Sequence, residues 1–190
     1  MEDLHRIDVK VFATSGNDID PYTFMTVLQR WIQEHTIPGV LIDVADYSHI
    51  HHGPGVILIA HEHNVSIDYD GGKMGLLFRQ KTPVDGTLGD RIRSATLFAL
   101  KAAHLLQAEP DFAGRLAFDL RHALVIANDR LNAPATSATL ERLKADAVAS
   151  LANVYPGAIA IDPVSGDRRS RAAIEVRAAN APNGELLAVG

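Results

Sequence analysis

Residues 40–70 constrain the fold most, because they read as two extended segments joined by a tight turn. Apolar and polar side chains alternate along Val40–Ser48 and along Val56–Tyr69, a pattern typical of strands with one buried face. The turn sequence Gly53-Pro54-Gly55 separates them. The sequence therefore predicts a β-hairpin here, with a first strand over 40–48 and a long second strand over 56–69.

Five of the nine histidines lie on or near this hairpin. Side chains at i and i+2 share a face of a strand, so His61 and His63 are predicted to point together. In the predicted register they lie opposite residues close to Asp43, and cross-strand neighbours are about 5 Å apart. Two imidazoles and a carboxylate suit zinc or iron. We therefore predict a divalent transition metal at His61, His63 and Asp43, with a structural role for both histidines as the alternative.

The other polar side chains of the hairpin form a second set of candidates: His49, His51, His52, Asp46 and Glu62. The three histidines of this set lie too far along the first strand to join the predicted metal ligands, but they could form a second site at the turn. His61 could also act with Glu62 or Asp46 as an acid/base pair on an organic ligand. Adjacent residues point to opposite faces of a straight strand, so the pair with Glu62 would need a bulge.

The rest of the chain alternates helical and extended patterns. Apolar spacing predicts three helices, at about 21–37, 90–107 and 137–154, and further strands at 7–12, 74–80, 158–162 and 171–177. Residues 115–128 fit both a strand and a helix, and the long alternation with Phe, Val and Ile favours the strand. The fold class predicted is α+β, a mostly antiparallel sheet with helices packed on it.

Two parts of the chain, 5–82 and 115–178, follow the same order of elements. Each reads as a strand, a polar loop, a helix, a Pro-Gly pair and two further strands. A duplicated β-α-β-β, ferredoxin-like unit would explain the likeness, with the helical segment 87–109 as the connector. Convergence on one common supersecondary pattern explains it equally well, because Pro-Gly often follows a helix. In both cases we expect residues 1–190 to form one α+β domain.

Composition excludes some classes of function. The net charge is −5 and no block of Lys and Arg occurs, which disfavours nucleic acid as a partner. The absence of cysteine excludes disulfides and thiolate chemistry. Neither a secretory leader nor an apolar run of the roughly 20 residues that cross a bilayer is visible, so no membrane partner and a cytoplasmic location are expected.

Two loops carry weaker signals. Glycines and arginines near the start of the second helix could hold an anion: Arg79, Gly86, Gly89, Arg91 and Arg93. They match neither a P-loop nor a dinucleotide-binding pattern, and a structural loop is the favoured interpretation. Asn128, Asp129 and Arg130 follow a predicted strand, where loops often carry function, although a plain turn explains them as well.

Two segments resemble an uncharacterised family of bacterial proteins of similar length. They are Gly53–Glu62, which reads GPGVILIAHE, and Asn128–Pro134, which reads NDRLNAP. The resemblance implies a coherent domain and no particular chemistry.

Three functions remain open at this point. The first is a small soluble binding protein that holds a divalent metal or a small ligand at the histidine hairpin. The second is a non-enzymatic accessory or structural subunit that pairs with a protein partner, or with its own copy, through a sheet edge. The third is a metal-dependent hydrolase or isomerase.

Overall fold

Helices cover one face of an eight-stranded sheet in the computed structural model, which describes residues 4–50, 53–164 and 171–188. The strands are β1 (Ile7–Ser15), β2 (Leu41–Tyr47), β3 (Gly55–Ala60), β4 (His63–Asp68), β5 (Gly75–Gln80), β6 (Ala117–Ala127), β7 (Ile159–Pro163) and β8 (Ala172–Ala178). The helices are α1 (Pro21–Glu34), α2 (Leu88–Ala108), α3 (Ser137–Leu151) and the short α4 (Gly184–Leu187).

The sheet has the order β2-β3-β4-β5-β1-β6-β8-β7, and every neighbouring pair is antiparallel. The first strand therefore lies at the centre, between β5 and β6, while β2 and β7 form the two edges. The predicted α+β class, with an antiparallel sheet and helices packed on it, is confirmed. The strand interpretation of 115–128 is also confirmed, as β6.

Local signals explain where the helices begin. Asp20 caps α1 by accepting a hydrogen bond from the N–H of Tyr22, and Pro21 occupies the first helical position. Thr87 and Asp90 form a capping box at the start of α2. α1 packs near β2 and β3, α2 over the central strands and α3 near β7 and β8. Of the described helices, none is both long and apolar enough to cross a membrane.

β1 shows how the sheet divides its side chains between two faces. Ile7, Val9 and Val11 are buried in the core beneath the helices. The alternate residues Asp8 and Lys10 point to the other side, which no described helix covers and which we call the open face. Both are nonetheless almost fully buried, at 0% and 3% exposure, so the centre of the open face is polar but largely closed to water.

The predicted long strand over 56–69 is wrong. The chain reverses at His61 and Glu62, and β4 returns alongside β3 with Ile59 opposite Asn64. A two-residue turn usually carries Gly or Asn, and this one carries neither, so nothing in the alternation indicated it. The reversal changes which residues share a face: Val56, Leu58 and Ala60 of β3 lie on the helix side together with the odd-numbered residues of β4.

The two halves begin with the same order of elements but are unequal. In each, the chain runs from a central strand through a helix to an edge strand and then returns towards the centre. The first half returns through β3, β4 and β5, whereas the second returns through β8 alone. The extra hairpin means that the ferredoxin-like duplication is not confirmed and stays a prediction.

Gly55 offers a test of the packing between β3 and β4. Its φ is +65°, and a Cβ there would be driven into the carbonyl oxygen of Ile67, whereas Gly71 has φ +70° and open space around it. We expect Gly55→Ala to lower the free energy of unfolding by about 3 kcal/mol, since strain and a backbone clash add. Gly71→Ala should cost only about 1 kcal/mol. Urea unfolding measures both, and equal losses would contradict the packing described.

Candidate functional site

A cleft of about 710 Å³ lies on the open face of the sheet. Its floor comes from β1, β5, β6 and β8, strands that are far apart in the sequence and adjacent in the sheet. The side chains that line it mix both signs of charge with apolar groups: Lys10, Asp68, Asp70, Lys73, Arg79, Arg171, Glu175, Phe12, Leu77, Leu124, Ile126 and Val164. A polar-rimmed concavity with an apolar floor is the usual form of a small-molecule site.

A buried carboxylate stands at one end of this cleft. Asp8 is fully buried, and its Oδ2 accepts a hydrogen bond from Arg79 Nε at 3.0 Å and lies 3.5 Å from Arg171 Nη1. Arg79 faces Asp8 across the β1–β5 ladder, while Arg171 immediately precedes β8 and also lies 3.5 Å from Asn128 Oδ1. One carboxylate thus holds two guanidinium groups.

The carboxyl group of Asp8 lies in an environment that disfavours its charge. Burial raises the pKa of its carboxyl group, although Arg79 and Arg171 act in the opposite direction. Its Oδ1 is buried and has no hydrogen-bond partner among the described residues. A buried carboxylate with one unpaired oxygen lowers the stability of the folded chain. Such groups are common at functional sites, so this end of the cleft is a candidate for function.

A second ion pair crosses the middle of the cleft. Lys10 Nζ donates to Asp68 Oδ2 at 2.5 Å and to the carbonyl oxygen of Asp70 at 3.0 Å, and both side chains of the pair are under 10% exposed. The stem of Lys10 passes over Gly75, where a Cβ would stand 2.8 Å from Lys10 Cε. A glycine within a strand often marks such a close approach. Here it lets a lysine of β1 reach an aspartate of β4.

The predicted metal ligands are not brought together. His61 lies in the β3–β4 turn and is exposed. His63 is buried on the helix side, with its ring centroid 4.5 Å from that of Phe98 on α2. Asp43 pairs with Ile59 in the register of β2 and β3, so it lies on the open face, opposite to His63. Within the described ranges, no group of three His, Cys, Asp or Glu residues could hold a metal ion. Metal binding stays a prediction.

His63 has the character of a core residue. It packs against Phe78 and Phe98, whose rings also contact each other, and its Nε2 is buried without a hydrogen-bond partner in the described part of the chain. Burial lowers the pKa of His63, and Lys81 acts in the same direction against the opposing effect of Glu62. The neutral form of the imidazole is therefore favoured. This arrangement agrees with the structural alternative for His63.

The second set of hairpin candidates is dispersed. His49 is exposed in the turn after β2, while His51 and His52 lie outside the described residues. Glu62 accepts a hydrogen bond from the N–H of Val40 at 3.1 Å, which lowers the pKa of its carboxyl group and ties the β3–β4 turn to the start of β2. It holds the backbone in place, and no acid/base pair with His61 is formed.

Two aspartates of this hairpin bind backbone N–H groups, one on the free edge of β2 and one in the turn that follows it. Asp43 Oδ1 accepts a hydrogen bond from the N–H of Val44, and Asp46 Oδ1 accepts one from the N–H of Ser48, both at 2.8 Å. Unpaired N–H groups on an edge strand invite pairing with another chain. At the other edge, β7 ends at Pro163, which has no N–H. Both features work against the predicted partner contact through a sheet edge, which stays a prediction.

The predicted anion-binding set is divided between the two sides of the sheet. Arg79 lies on the open face in the cleft, whereas Arg91 is buried on the helix side and donates to the carbonyl oxygens of Val84 and Leu4. Gly86, Gly89 and Arg93 surround the start of α2, where Asp90 already accepts a hydrogen bond from the N–H of Thr87. The capping box thus occupies the helix terminus, and Arg79 alone belongs to the cleft.

The loop candidates after β6 form a turn. Asp129 accepts hydrogen bonds from the N–H groups of Leu131 and Asn132, which lower the pKa of its carboxyl group. Arg130 is exposed, and Asn128 lies beside Arg171 at the margin of the cleft. The turn thereby fixes the end of β6 next to the arginine pair.

Sequence reasoning missed Asp8, Lys10, Arg171 and Glu175 as functional candidates. The sequence held a weak signal for Asp8 and Lys10, because both alternate with large apolar residues in β1, which lies near the centre of the sheet. Charged residues in a central strand are unusual unless they are paired. Their partners, however, come from β4, β5 and β8, and only the strand order brings these together.

The buried His63 makes stability depend on pH. Because its pKa in the folded chain lies below the ordinary value of 6.5, the unfolded chain binds more protons as the pH falls through 6.5. We expect the free energy of unfolding to fall between pH 7.5 and 5.5, and to fall less in His63→Leu. Urea titrations at both pH values measure this, with the exposed His61→Gln as the control that keeps the dependence of the unsubstituted chain. An unchanged dependence in His63→Leu would contradict the assignment.

Removal of the edge carboxylates should promote self-association. The double variant Asp43→Ala, Asp46→Ala frees the N–H group of Val44 on the edge strand and that of Ser48 just beyond its end, and it removes two negative charges from β2. We expect its mass in sedimentation equilibrium to rise with concentration more steeply than that of the unsubstituted chain. Asp18→Ala, Asp85→Ala removes the same charge elsewhere. If the two double variants behave alike, the carboxylates do not protect the edge.

No protein-family model, curated protein or solved structure matches the chain. The resemblance of two segments to an uncharacterised bacterial family stays a prediction. The evidence for a function therefore comes from the geometry of the open face.

Proposed function

We propose that the chain is a small-molecule-binding protein and that its ligand is an organic anion held in the cleft on the open face. This keeps the first function predicted from the sequence but moves the site from the histidine hairpin to the arginine pair. The observation that carries the proposal is the fully buried Asp8, which holds both Arg79 and Arg171 at one end of the cleft.

The two arginines retain unused hydrogen-bond donors. Arg79 uses its Nε on Asp8, and its Nη groups have no hydrogen-bond partner within the described ranges. The side chains of Arg79 and Arg171 are 35% and 30% exposed, so each keeps a surface that a ligand can reach. A guanidinium group presents its donors in a fixed plane that matches a carboxylate or a phosphate.

The charge balance favours an anion at this end. A single carboxylate faces two guanidinium groups, so the cluster keeps a local positive charge even though the whole cleft is mixed. Asp8 also fixes the position of both arginines before a ligand arrives, which reduces the entropy lost on binding. These features support a preorganised anion subsite.

The floor of the cleft supports an organic body on the ligand. Leu77 and Ile126 are 6% and 7% exposed, and Leu124 and Phe12 continue the apolar surface beyond them. An inorganic ion would leave this surface unused, whereas a carboxylate attached to a ring or a carbon chain would cover it. A carboxylic acid or phosphate ester with an apolar part is therefore the ligand class that fits best.

Thermal unfolding in the presence of benzoate tests the proposal. A ligand that binds only the folded chain raises its stability by mass action, so saturating benzoate should raise the melting temperature by about 5–10 °C. Arg79→Gln and Arg171→Gln should each lose most of this shift. Sodium chloride at equal ionic strength controls for screening, because exposed charges are sensitive to salt.

Arg121→Gln is the matched control variant. Arg121 is an exposed arginine of β6 that pairs with Asp119 and does not line the cleft. It should keep the full benzoate shift. An absence of any shift with benzoate and with inorganic phosphate, or equal shifts in Arg171→Gln and Arg121→Gln, would rule out the arginine pair as the anion subsite.

A further inference from the structure

The cleft on the open face carries a carboxylate at some distance from the arginine pair. Glu175 of β8 lines the cleft, and its side chain is partly exposed. Its Oε1 lies 2.6 Å from His122 Nε2 and accepts a hydrogen bond from Arg177 Nη2 at 2.8 Å. Its Oε2 has no hydrogen-bond partner within the described ranges. One carboxylate oxygen of the lining is therefore available to a ligand.

The surroundings of Glu175 favour its ionised form. Burial acts to raise the pKa of its carboxyl group, but the hydrogen bonds from His122 and Arg177 outweigh burial and lower that pKa. Both neighbours bind the same oxygen and so fix the orientation of the carboxylate. An ionised carboxylate with a free oxygen binds a cation that carries N–H donors, and an ammonium group is the simplest one.

The remaining charges leave the two ends of the cleft with opposite signs. Two lysines and two aspartates of the lining cancel in charge: Lys10, Lys73, Asp68 and Asp70. At one end, Arg79 and Arg171 share the single carboxylate of Asp8. At the other end, the exposed Asp162 of β7 lies directly across from Glu175, and these two carboxylates have one guanidinium group beside them, that of Arg177. The cleft thus runs from local positive charge to local negative charge.

The strand register sets the distance between these ends. Asp8 pairs with Ile126 and Ile126 pairs with Ala173, so Ala173 lies two strands, or about 10 Å, from Asp8. Glu175 is two residues, or about 7 Å, further along β8. The ends are therefore about 12 Å apart along the diagonal. A hydrogen bond of about 2.8 Å at each end leaves about 6 Å for the ligand.

The surface between the two ends is apolar. Leu124 and Ile126 of β6 line the cleft there, and neither offers a hydrogen bond from its side chain. Methylene groups cover such a surface without loss of hydration by polar atoms. An extended chain of five carbons places about 6 Å between a terminal nitrogen and the carboxyl carbon, which matches the space available.

We propose that the ligand is an ω-amino acid of about four to six carbons, whose carboxylate binds Arg79 and Arg171 and whose ammonium group binds Glu175. The inference rests on the proposed function, because it places the carboxylate on the same arginine pair. A simple α-amino acid holds its two charges too close together to reach both ends. A fatty acid of the same length reaches the arginines and leaves Glu175 without a partner.

Isothermal titration calorimetry with 5-aminopentanoate, pentanoate and glycine tests the inference. We expect 5-aminopentanoate to bind about five- to tenfold more tightly than pentanoate, because it adds one charge-assisted hydrogen bond to a partly exposed carboxylate. Glycine carries both charges but lacks the length, so it should bind no more tightly than pentanoate.

Glu175→Gln separates recognition of the ammonium group from a structural role. The variant should lose the preference for 5-aminopentanoate and keep the binding of pentanoate, which also shows that it is folded. A merely structural role would weaken the binding of both acids equally. Asp162→Asn is the matched control, because it removes the same charge directly across from Glu175 but does not line the cleft. Water and salt screen this exposed charge, so the control should keep the preference within about twofold.

The outcomes separate the two proposals. Loss of the preference in Glu175→Gln alone supports the ω-amino acid. Equal dissociation constants of the unsubstituted chain for pentanoate and 5-aminopentanoate, with the benzoate shift in melting temperature intact, overturn the ω-amino acid and leave the anion subsite. Equal loss of the preference in Glu175→Gln and Asp162→Asn also overturns it, because the ammonium group then responds to the general field of the open face. The absence of binding by either acid, together with no benzoate shift, overturns both proposals.

Discussion

The described helices cover one face of the eight-stranded sheet and leave the other face open, and the rest of the structure depends on this constraint. An antiparallel sheet can expose its second face to water, but in a wide sheet the side chains of neighbouring strands shield the central strands from that water. Asp8 and Lys10 are almost fully buried there although no described helix covers them. Ion pairs are what make charged side chains tolerable at such positions, and the pairs with Arg79 and Asp68 shape the cleft.

The fold class was predictable because burial on one side leaves a period of two in the strands and a period near 3.6 in the helices. Ile7, Val9 and Val11 carry the first pattern, and Phe24, Val27 and Leu28 carry the second. The turn at residues 61 and 62 was not predictable in this way. Hydrophobic alternation runs through it, and the side chains that hold the turn, such as Glu62 on the N–H of Val40, act across sequence distance.

The candidate site was largely hidden from the sequence. The histidines of the hairpin led to a predicted metal site, yet His63 packs against Phe78 and Phe98 in the core. His122, a histidine of β6 outside that prediction, contacts Phe12 beside the cleft. Arg79 was singled out, but with companions from the helix side. Residue type suggests what a group can do, whereas strand order determines which groups meet, and that order follows from the whole topology.

The contact between Asp8 and Arg171 joins residues 163 positions apart. No fragment that lacks β7 and β8 can assemble the arginine pair, because Arg171 immediately precedes β8. On a growing chain the pair therefore forms only after β8 has been synthesised and has docked on β6. A ligand that bound both arginines would link β8 to β5 across β1 and would oppose the separation of these three strands.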